Sequence, residues 1–140
     1  MPKEKKDAPI SSVHLLDWPQ SNPESDIGSE LEPIFEIMQD VTAALENKRS
    51  QGLIGSSFDA RINLLTNNEN RYKYLWSLKN ELTEIFKVSQ VEVTKAGSLD
   101  IAIEILKADG AKCPRCWNFS VSAGQDKEIC ERCLNAIGEK

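Results

Sequence analysis

Between positions 29 and 49 the spacing of apolar residues predicts one long amphipathic helix. The apolar side chains recur every three or four positions, at Leu31, Ile34, Met38, Val41 and Leu45. This period places them on one face of a helix with about 3.6 residues per turn. Ser29 or Asp26 is a suitable N-terminal cap, and Gly52 predicts the end of the helix. Pro33 fits this prediction only within the first turn.

The periodicity changes after this helix and predicts a small α/β unit. Apolar and polar residues alternate from Phe58 to Leu64, which indicates a half-buried strand. After a polar turn, a second helical stripe consists of Leu75, Leu78, Leu82 and Ile85. Two more alternating runs, 86–94 and 99–105, predict strands. The first of them contains one slip, which indicates a bulge, and the Ala96-Gly-Ser turn predicts that the two strands form a hairpin.

The order of these elements predicts an α+β fold. Residues 1–27 are mainly polar and predict a poorly ordered arm, with one apolar anchor formed by Val13, Leu15, Leu16 and Trp18. Residues 28–52 contain the long N-terminal helix. Residues 53–107 form a small mixed α/β unit with a three-stranded sheet and a helix, and residues 108–140 form a cysteine-containing module.

The charge distribution limits the classes of partner. The net charge of the 140 residues is -5, and the first fifty residues carry ten acidic and five basic side chains, whereas the rest is balanced. A nucleic-acid-binding protein usually has a broad basic excess, so any such contact must be local, and DNA is not an expected partner. No apolar run is long enough for a membrane span or a secretory signal, so we expect a cytoplasmic protein without a membrane partner.

Four cysteines in two tight pairs predict a metal site. Cys113 and Cys116 form one C-x2-C pair, and Cys130 and Cys133 form the second. Each pair closes a turn that directs two sulfurs to one point, and two such turns supply the four thiolates that Zn2+ prefers. Iron and redox chemistry are the alternatives, although a reducing compartment disfavours disulfides. Four protein ligands leave no open position for water, so we expect structural Zn2+ in a zinc-ribbon-like module.

Aromatic and basic side chains surround the cysteine pairs and allow two interpretations. Trp117 directly follows a cysteine, and Lys112, Arg115 and Arg132 lie beside the two pairs. In the first interpretation Trp117, Phe119 and Ile129 only cover the metal. In the second, an exposed ring next to cationic groups stacks on an unpaired RNA base and binds phosphates.

The sequence contains no recognisable catalytic constellation. The only histidine, His14, lies in the predicted arm without a neighbouring cysteine or carboxylate pair, and we interpret it as a surface or anchor residue. Neither Ile54-Gly-Ser-Ser nor Gly97-Ser has the pattern of a phosphate-binding loop.

Three stretches taken together resemble the C-terminal end of bacterial-type isoleucyl-tRNA synthetase. They are Ser12-Val-His-Leu-Leu-Asp-Trp-Pro19, the helix leading into Ile54-Gly-Ser-Ser-Phe-Asp-Ala60, and Cys113-Pro-Arg-Cys-Trp117 with Ile129-Cys-Glu-Arg-Cys133. The resemblance covers nearly the whole chain after residue 11. It implies that residues 28–52 correspond to the last helix of the anticodon-binding domain.

The resemblance implies recognition of isoleucine tRNA, because this part of the family's enzyme lies against the anticodon arm. On that basis the four cysteines are metal ligands, and the RNA-contact candidates are Trp117, Arg115, Arg132 and Lys112. The ATP-binding signatures His-Ile-Gly-His and Lys-Met-Ser-Lys-Ser are absent, so the chain is not expected to aminoacylate tRNA by itself. The rest of a synthetase is an expected partner if the chain is part of one.

Two other readings compete with tRNA recognition. The formamidopyrimidine-type DNA glycosylases have a related zinc module and use an N-terminal proline, and Pro2 is present here, but Lys3 stands where that family has a glutamate. The second alternative is a stand-alone zinc-stabilised protein-interaction module derived from a synthetase, which the acidic N-terminal third favours.

Overall fold

The computed structural model describes residues 12, 14, 16–20, 28–124 and 127–138. By its internal contacts the chain divides into two units, residues 1–31 and 32–140. The predicted arm lies mostly outside the described residues, as do Val13 and Leu15 of its predicted anchor. Leu16 and Trp18 are described, and both are exposed, Trp18 to 90%.

The predicted long helix is present as α1 (Gly28–Ser50). Its buried face consists of Ile34, Ile37, Val41 and Leu45. The helix ends as predicted at Gly52, whose φ of 75° lies in the left-handed region. The N–H of Gly52 donates to the Arg49 carbonyl at 2.9 Å, and the N–H of Leu53 donates to the Lys48 carbonyl at 3.1 Å, which is the Schellman arrangement. Pro33 lies in the second turn rather than the first, which costs the helix one backbone hydrogen bond.

A three-stranded mixed sheet forms as predicted, although its connectivity differs from the prediction. The strands are β1 (Ala60–Thr66), β2 (Gln90–Lys95) and β3 (Ala102–Lys107), in the order β2-β1-β3. β1 pairs in parallel with β2 and antiparallel with β3. The predicted hairpin between the second and third strands is therefore wrong, because β2 and β3 lie on opposite sides of β1.

The central position of β1 explains this connectivity. Every second residue of β1 is fully buried, at Ala60, Ile62, Leu64 and Thr66, so the strand gains most when it is paired on both edges. The segment 96–101 then crosses the end of β1 and is fastened there. Ala96 N–H donates to the Thr66 carbonyl at 3.2 Å, and the Thr66 hydroxyl donates to the Asp100 carbonyl.

The predicted second helix is divided into α2 (Glu69–Ser77) and α3 (Leu82–Phe86). Asn68 caps α2, because its side chain accepts from the N–H groups of Asn70 and Arg71. The predicted strand from residue 86 begins later, at Gln90, since Phe86 still belongs to α3 and Lys87 ends that helix with a φ of 55°. The slip in alternation is therefore the end of a helix and not a bulge.

Phe58 also lies outside the predicted strand, in a 3-10 turn (Ser57–Asp59) that precedes β1. Asp59 fixes this turn by accepting from the N–H groups of Gly55 at 3.0 Å and Ser56 at 2.9 Å. The hydrogen bond from Ser56 is the main reason why the pKa of Asp59 lies below its ordinary value.

The C-terminal module consists of a two-stranded hairpin and a short helix. Strands β4 (Ala111–Lys112) and β5 (Phe119–Ser120) pair antiparallel, and α4 covers Glu131–Ile137. Gly110 begins the hairpin with a φ of 89°, and a Cβ at this position would lie 2.3 Å from the Ser120 carbonyl oxygen. Only glycine permits that approach.

Polar contacts join this module to the sheet. The Gln90 side chain donates to the Asp109 carbonyl and accepts from the Asp109 N–H, both at 2.9 Å. Arg61 bridges Glu92 and Asp109, and Phe119 N–H donates to the Ser89 hydroxyl at 2.7 Å. The hairpin is therefore held against the ends of β1 and β2. No helix among the described residues is long and apolar enough to cross a membrane.

The central strand provides a test of the fold. Leu64→Ala removes a side chain that is 0% exposed, so we expect the free energy of unfolding to fall by about 2–5 kcal/mol in urea titrations. Leu65→Ala is the matched control, because Leu65 is only half-buried on the other side of the same strand. Its loss should be about 1 kcal/mol. Equal losses in the two variants would contradict the assignment of the buried face.

Candidate metal centre

The first cysteine pair lies on a tight turn of the β4–β5 hairpin. Cys113 N–H donates to the Asn118 carbonyl at 2.9 Å, and Trp117 N–H donates to the Cys113 carbonyl at 2.8 Å. The turn closes with Trp117 in the left-handed region, at a φ of 65°. The sulfurs of Cys113 and Cys116 then face the second pair, which lies at the start of α4.

The second pair is positioned by the start of this short helix. Cys130 directly precedes α4 and Cys133 lies in its first turn. Cys130 N–H donates to the Cys113 sulfur at 3.4 Å, which links the two pairs directly. Ser122 also supports the helix start, since its hydroxyl accepts from the Glu131 N–H at 3.2 Å.

The four sulfurs lie at separations that suit one tetrahedral ion. All are within 4.8 Å of one another, with 3.9 Å between Cys113 and Cys133 and 3.7 Å between Cys116 and Cys130. Zinc–sulfur bonds of about 2.3 Å in a tetrahedron place the sulfurs about 3.8 Å apart. A disulfide requires about 2.05 Å, and all four cysteines are free. The donor set therefore fits structural zinc, with the coordination filled by protein.

The local environment gives the thiols of Cys113 and Cys130 different pKa values. Although burial opposes ionisation of Cys113, hydrogen bonds from the N–H groups of Cys130, Cys116 and Arg115 lower the pKa of Cys113 to about 6. Burial raises the pKa of Cys130 to about 12. A cluster of sulfurs at this spacing needs a cation before all of its members can be thiolates.

The four predicted RNA-contact residues are only partly brought together. Trp117 is 62% exposed, whereas Ile129 packs against the cysteine cluster. The Lys112 ammonium lies 5.9 Å from the centroid of the Trp117 ring and 3.9 Å from an Asp59 oxygen. Arg115 instead donates to the Cys133 sulfur, which raises the pKa of the guanidinium.

Arg132 has a partner that the sequence pattern did not indicate. Its guanidinium lies 3.4 Å from a carboxylate oxygen of Glu84 on α3, 48 residues earlier in the chain. Nothing in the local sequence signals such a long-range pair. His14 is exposed, and its N–H donates to the Ser12 hydroxyl at 3.3 Å, which agrees with a surface residue. Pro2, which the glycosylase reading needs, lies outside the described residues.

Comparison with known proteins agrees with this geometry. Residues 110–136 match the family described as "Zinc finger found in FPG and IleRS". The chain is 37% identical over 90% of its length to the isoleucine–tRNA ligase of Natranaerobius thermophilus, and 32% identical over its whole length to that of Syntrophotalea carbinolica. Over 69% of the chain, identity to the ligase of Gloeobacter violaceus is 41%.

These matches cover a small part of the relatives. The chain spans 15% of the Natranaerobius ligase, 16% of the Syntrophotalea ligase and 11% of the Gloeobacter ligase. The resemblance to isoleucyl-tRNA synthetases that the motifs predicted is confirmed, and the zinc-finger match supports the same metal as the sulfur geometry.

Removal of one sulfur tests the metal centre. Cys133→Ser should weaken zinc binding by at least about 100-fold, because the tetrahedral set loses a thiolate. Metal analysis after gel filtration should give one zinc per wild-type chain and almost none for the variant. Val121→Ser is the control, since Val121 is 64% exposed in the same module. Full zinc retention by Cys133→Ser would exclude this ligand set.

The acidities predict how zinc binding depends on pH. Near neutral pH the metal-free Cys130 is protonated, since its pKa is about 12, so zinc binding must release at least one proton. Below about pH 6 Cys113 is protonated as well, and a further proton is released. The zinc affinity should therefore fall with pH, and more steeply below about pH 6. Competition with a metal-binding dye between about pH 5.5 and 8 measures this slope, and a flat profile would contradict thiolate ligation.

Proposed function

The chain is homologous over nearly its whole length to a segment of isoleucine–tRNA ligases, and on this premise we propose that it is a zinc-stabilised tRNA-recognition region. In this proposal the chain contacts the anticodon side of isoleucine tRNA. The observation that carries the proposal is the match to these ligases across 90–100% of the chain. The exposed aromatic ring beside the cysteine cluster supports it from the structure.

The zinc has a structural role in this proposal. Cys113, Cys116, Cys130 and Cys133 are its ligands, and the metal fixes the hairpin to the start of α4. Among the described residues, the buried cluster of the module includes, apart from the cysteines, only the small side chain of Ala123, and Ile129 packs against it partly buried. Such a cluster supplies little hydrophobic stabilisation, so binding of the metal provides much of the folding free energy.

The proposed RNA surface is centred on Trp117. A ring that is 62% exposed provides a face on which an unpaired base stacks, and stacking contributes about 1–3 kcal/mol per base. Lys112 lies close enough to this ring to contact a phosphate of the same nucleotide. Arg115 and Arg132 are proposed as further phosphate contacts, although each already has a partner within the chain.

The remaining parts of the chain have separate proposed roles. Residues 28–52 are the last helix of an anticodon-binding-like domain, residues 53–107 are the α/β unit that carries the zinc module, and residues 108–140 are that module. The arm predicted for residues 1–27 lies mostly outside the described residues. Because the sequence lacks both ATP-binding signatures, aminoacylation belongs to a complete ligase and not to this segment. The rest of such a ligase is a partner of the segment, and the site of action is the cytoplasm.

A protein-interaction module is the second candidate. The first fifty residues carry ten acidic and five basic side chains, which favours contact with a protein surface over contact with phosphates. The net charge of -5 also favours it over broad contact with nucleic acid. A chain that binds no isoleucine tRNA at low salt would support this second candidate.

The stacking residue provides the test of tRNA recognition. Trp117→Asn removes the ring, and asparagine tolerates the left-handed backbone at this position better than most residues. We expect binding of isoleucine tRNA to weaken by about 10-fold, the equivalent of one lost stacking contact. Fluorescence anisotropy measures the affinity, and zinc content is checked in the same sample.

Trp76→Asn is the matched control, because Trp76 is also exposed but lies on α2, outside the zinc module. It should leave the affinity nearly unchanged. A titration of salt with the wild-type chain should give a linear loss of affinity on logarithmic axes, as phosphate contacts require. Unchanged tRNA affinity in zinc-loaded Trp117→Asn would rule out the stacking role.

A further inference from the structure

A cleft of about 530 Å³ lies between helix α3 and the zinc module. Its wall on the α/β side includes Thr83, Lys87 and Ser89, and its wall on the module side includes Asn118, Ser122 and Arg132. The volume is within the range of about 300–1,000 Å³ that is usual for small-ligand sites. The cleft is therefore large enough for one nucleotide.

The cleft has a cationic group on each side. Lys87 is exposed at the end of α3, and its left-handed backbone fixes the point from which the side chain extends. Arg132 lies on the opposite wall, on α4, where Glu84 holds it at 3.4 Å. Both members of this ion pair are more than half exposed, so the pair is weak and exchanges readily with another anion.

Neutral polar residues that can donate and accept hydrogen bonds also line the cleft. The Ser122 hydroxyl accepts from Glu131 N–H and lies 2.8 Å from the Ser120 hydroxyl. Asn118 and Thr83 also line the cleft. Such a mixed set suits the edge of a nucleobase, which presents donors and acceptors together, better than it suits an apolar ligand.

The proposed stacking residue, Trp117, is a neighbour in sequence of two residues that line the cleft. Cys116 and Asn118 both line it, and Trp117 lies between them. From this placement we propose that the cleft binds one unpaired nucleotide of the RNA strand whose neighbouring base stacks on Trp117. The phosphate of that strand contacts Lys87 and Arg132, and Arg132 leaves Glu84 to do so. This inference rests on the tRNA-recognition function proposed above.

An acidic peptide would also contact the two cations, but the observations favour RNA. Glu84 and Glu131 also line the cleft, and they would repel a peptide with several carboxylates more strongly than a ligand with a single phosphate. In contrast, a nucleotide carries one phosphate and a neutral base, so it can contact the cations and place the base among the polar groups. The mixture of charges in the cleft matches the mixture of groups in a nucleotide.

Lys87→Asn tests the phosphate contact with isoleucine tRNA as the probe and the complete 140-residue chain as the protein. Asparagine removes the charge and is well tolerated at a left-handed position. We expect binding to weaken about 3- to 10-fold at about 0.1 M salt. The slope of log affinity against log salt should fall by about 0.7, the value for one phosphate contact on a single strand.

Glu84→Gln tests the release of Arg132. If Glu84 competes with the phosphate, its neutralisation should tighten tRNA binding about 2- to 5-fold. If the ion pair is purely structural, Glu84→Gln should instead weaken binding, because its loss would loosen the module.

Lys107→Gln is the control for Lys87→Asn, because it also removes one positive charge. Lys107 lies on β3 and does not line the cleft.

The outcomes separate the two proposals. If Trp117→Asn weakens binding but Lys87→Asn and Glu84→Gln match the wild type, the cleft does not take RNA, and the acidic-peptide reading replaces it. If the wild-type chain binds no isoleucine tRNA at low salt, the recognition function fails and the cleft proposal fails with it. If Lys107→Gln weakens tRNA binding as much as Lys87→Asn does, the weaker binding follows from the overall charge of the chain. That result would overturn the assignment of the cleft.

Discussion

Mutual repulsion of the cysteine sulfurs is the constraint on which the C-terminal module depends. Three of the four cysteines are buried, and four thiolates at separations near 3.8 Å are stable only around a cation. Among the described residues of the module, Ala123 is the only buried side chain of this cluster besides the cysteines, and Ile129 packs against it only partly buried. Since the cysteine cluster joins the β4–β5 hairpin to the start of α4, the metal site fixes these two elements of the module relative to each other.

The α/β unit supplies a rigid base for this module through a different set of forces. β1 is buried along one side and paired on both edges, so it is the most constrained segment of the chain. The polar contacts to the hairpin lie at the N-terminal end of β1. They are made by Arg61, by Asp59 just before the strand, and by Gln90 on the neighbouring β2. These contacts are individually weak because they are exposed, but several together define one orientation of the module.

The sequence allowed prediction of those features that depend on local spacing. The period of apolar residues predicted α1 and its end at Gly52, and the two C-x2-C pairs predicted the sulfur cluster. The sheet order and the pair between Arg132 and Glu84 were not predictable in this way, because they depend on contacts between residues far apart in the chain. The late start of β2 was not predicted, because Phe86 and Val88 show the alternation of a strand. In the structure Phe86 is the last residue of α3, and Lys87 ends that helix with a left-handed backbone.

The two described non-glycine residues with a positive φ, Lys87 and Trp117, are both part of the proposed RNA-binding surface. Each lies on a turn whose hydrogen bonds are already made, at the end of α3 and within the first cysteine pair. A side chain that extends from a fixed backbone loses only its own rotamer freedom on binding, about 0.5–1.5 kcal/mol, whereas a flexible loop also loses backbone freedom. The metal and the end of α3 fix the backbone at these two residues before a partner binds, so no backbone freedom is lost on binding. A small number of contacts can therefore be sufficient for the proposed recognition, even though the net charge of the chain is negative.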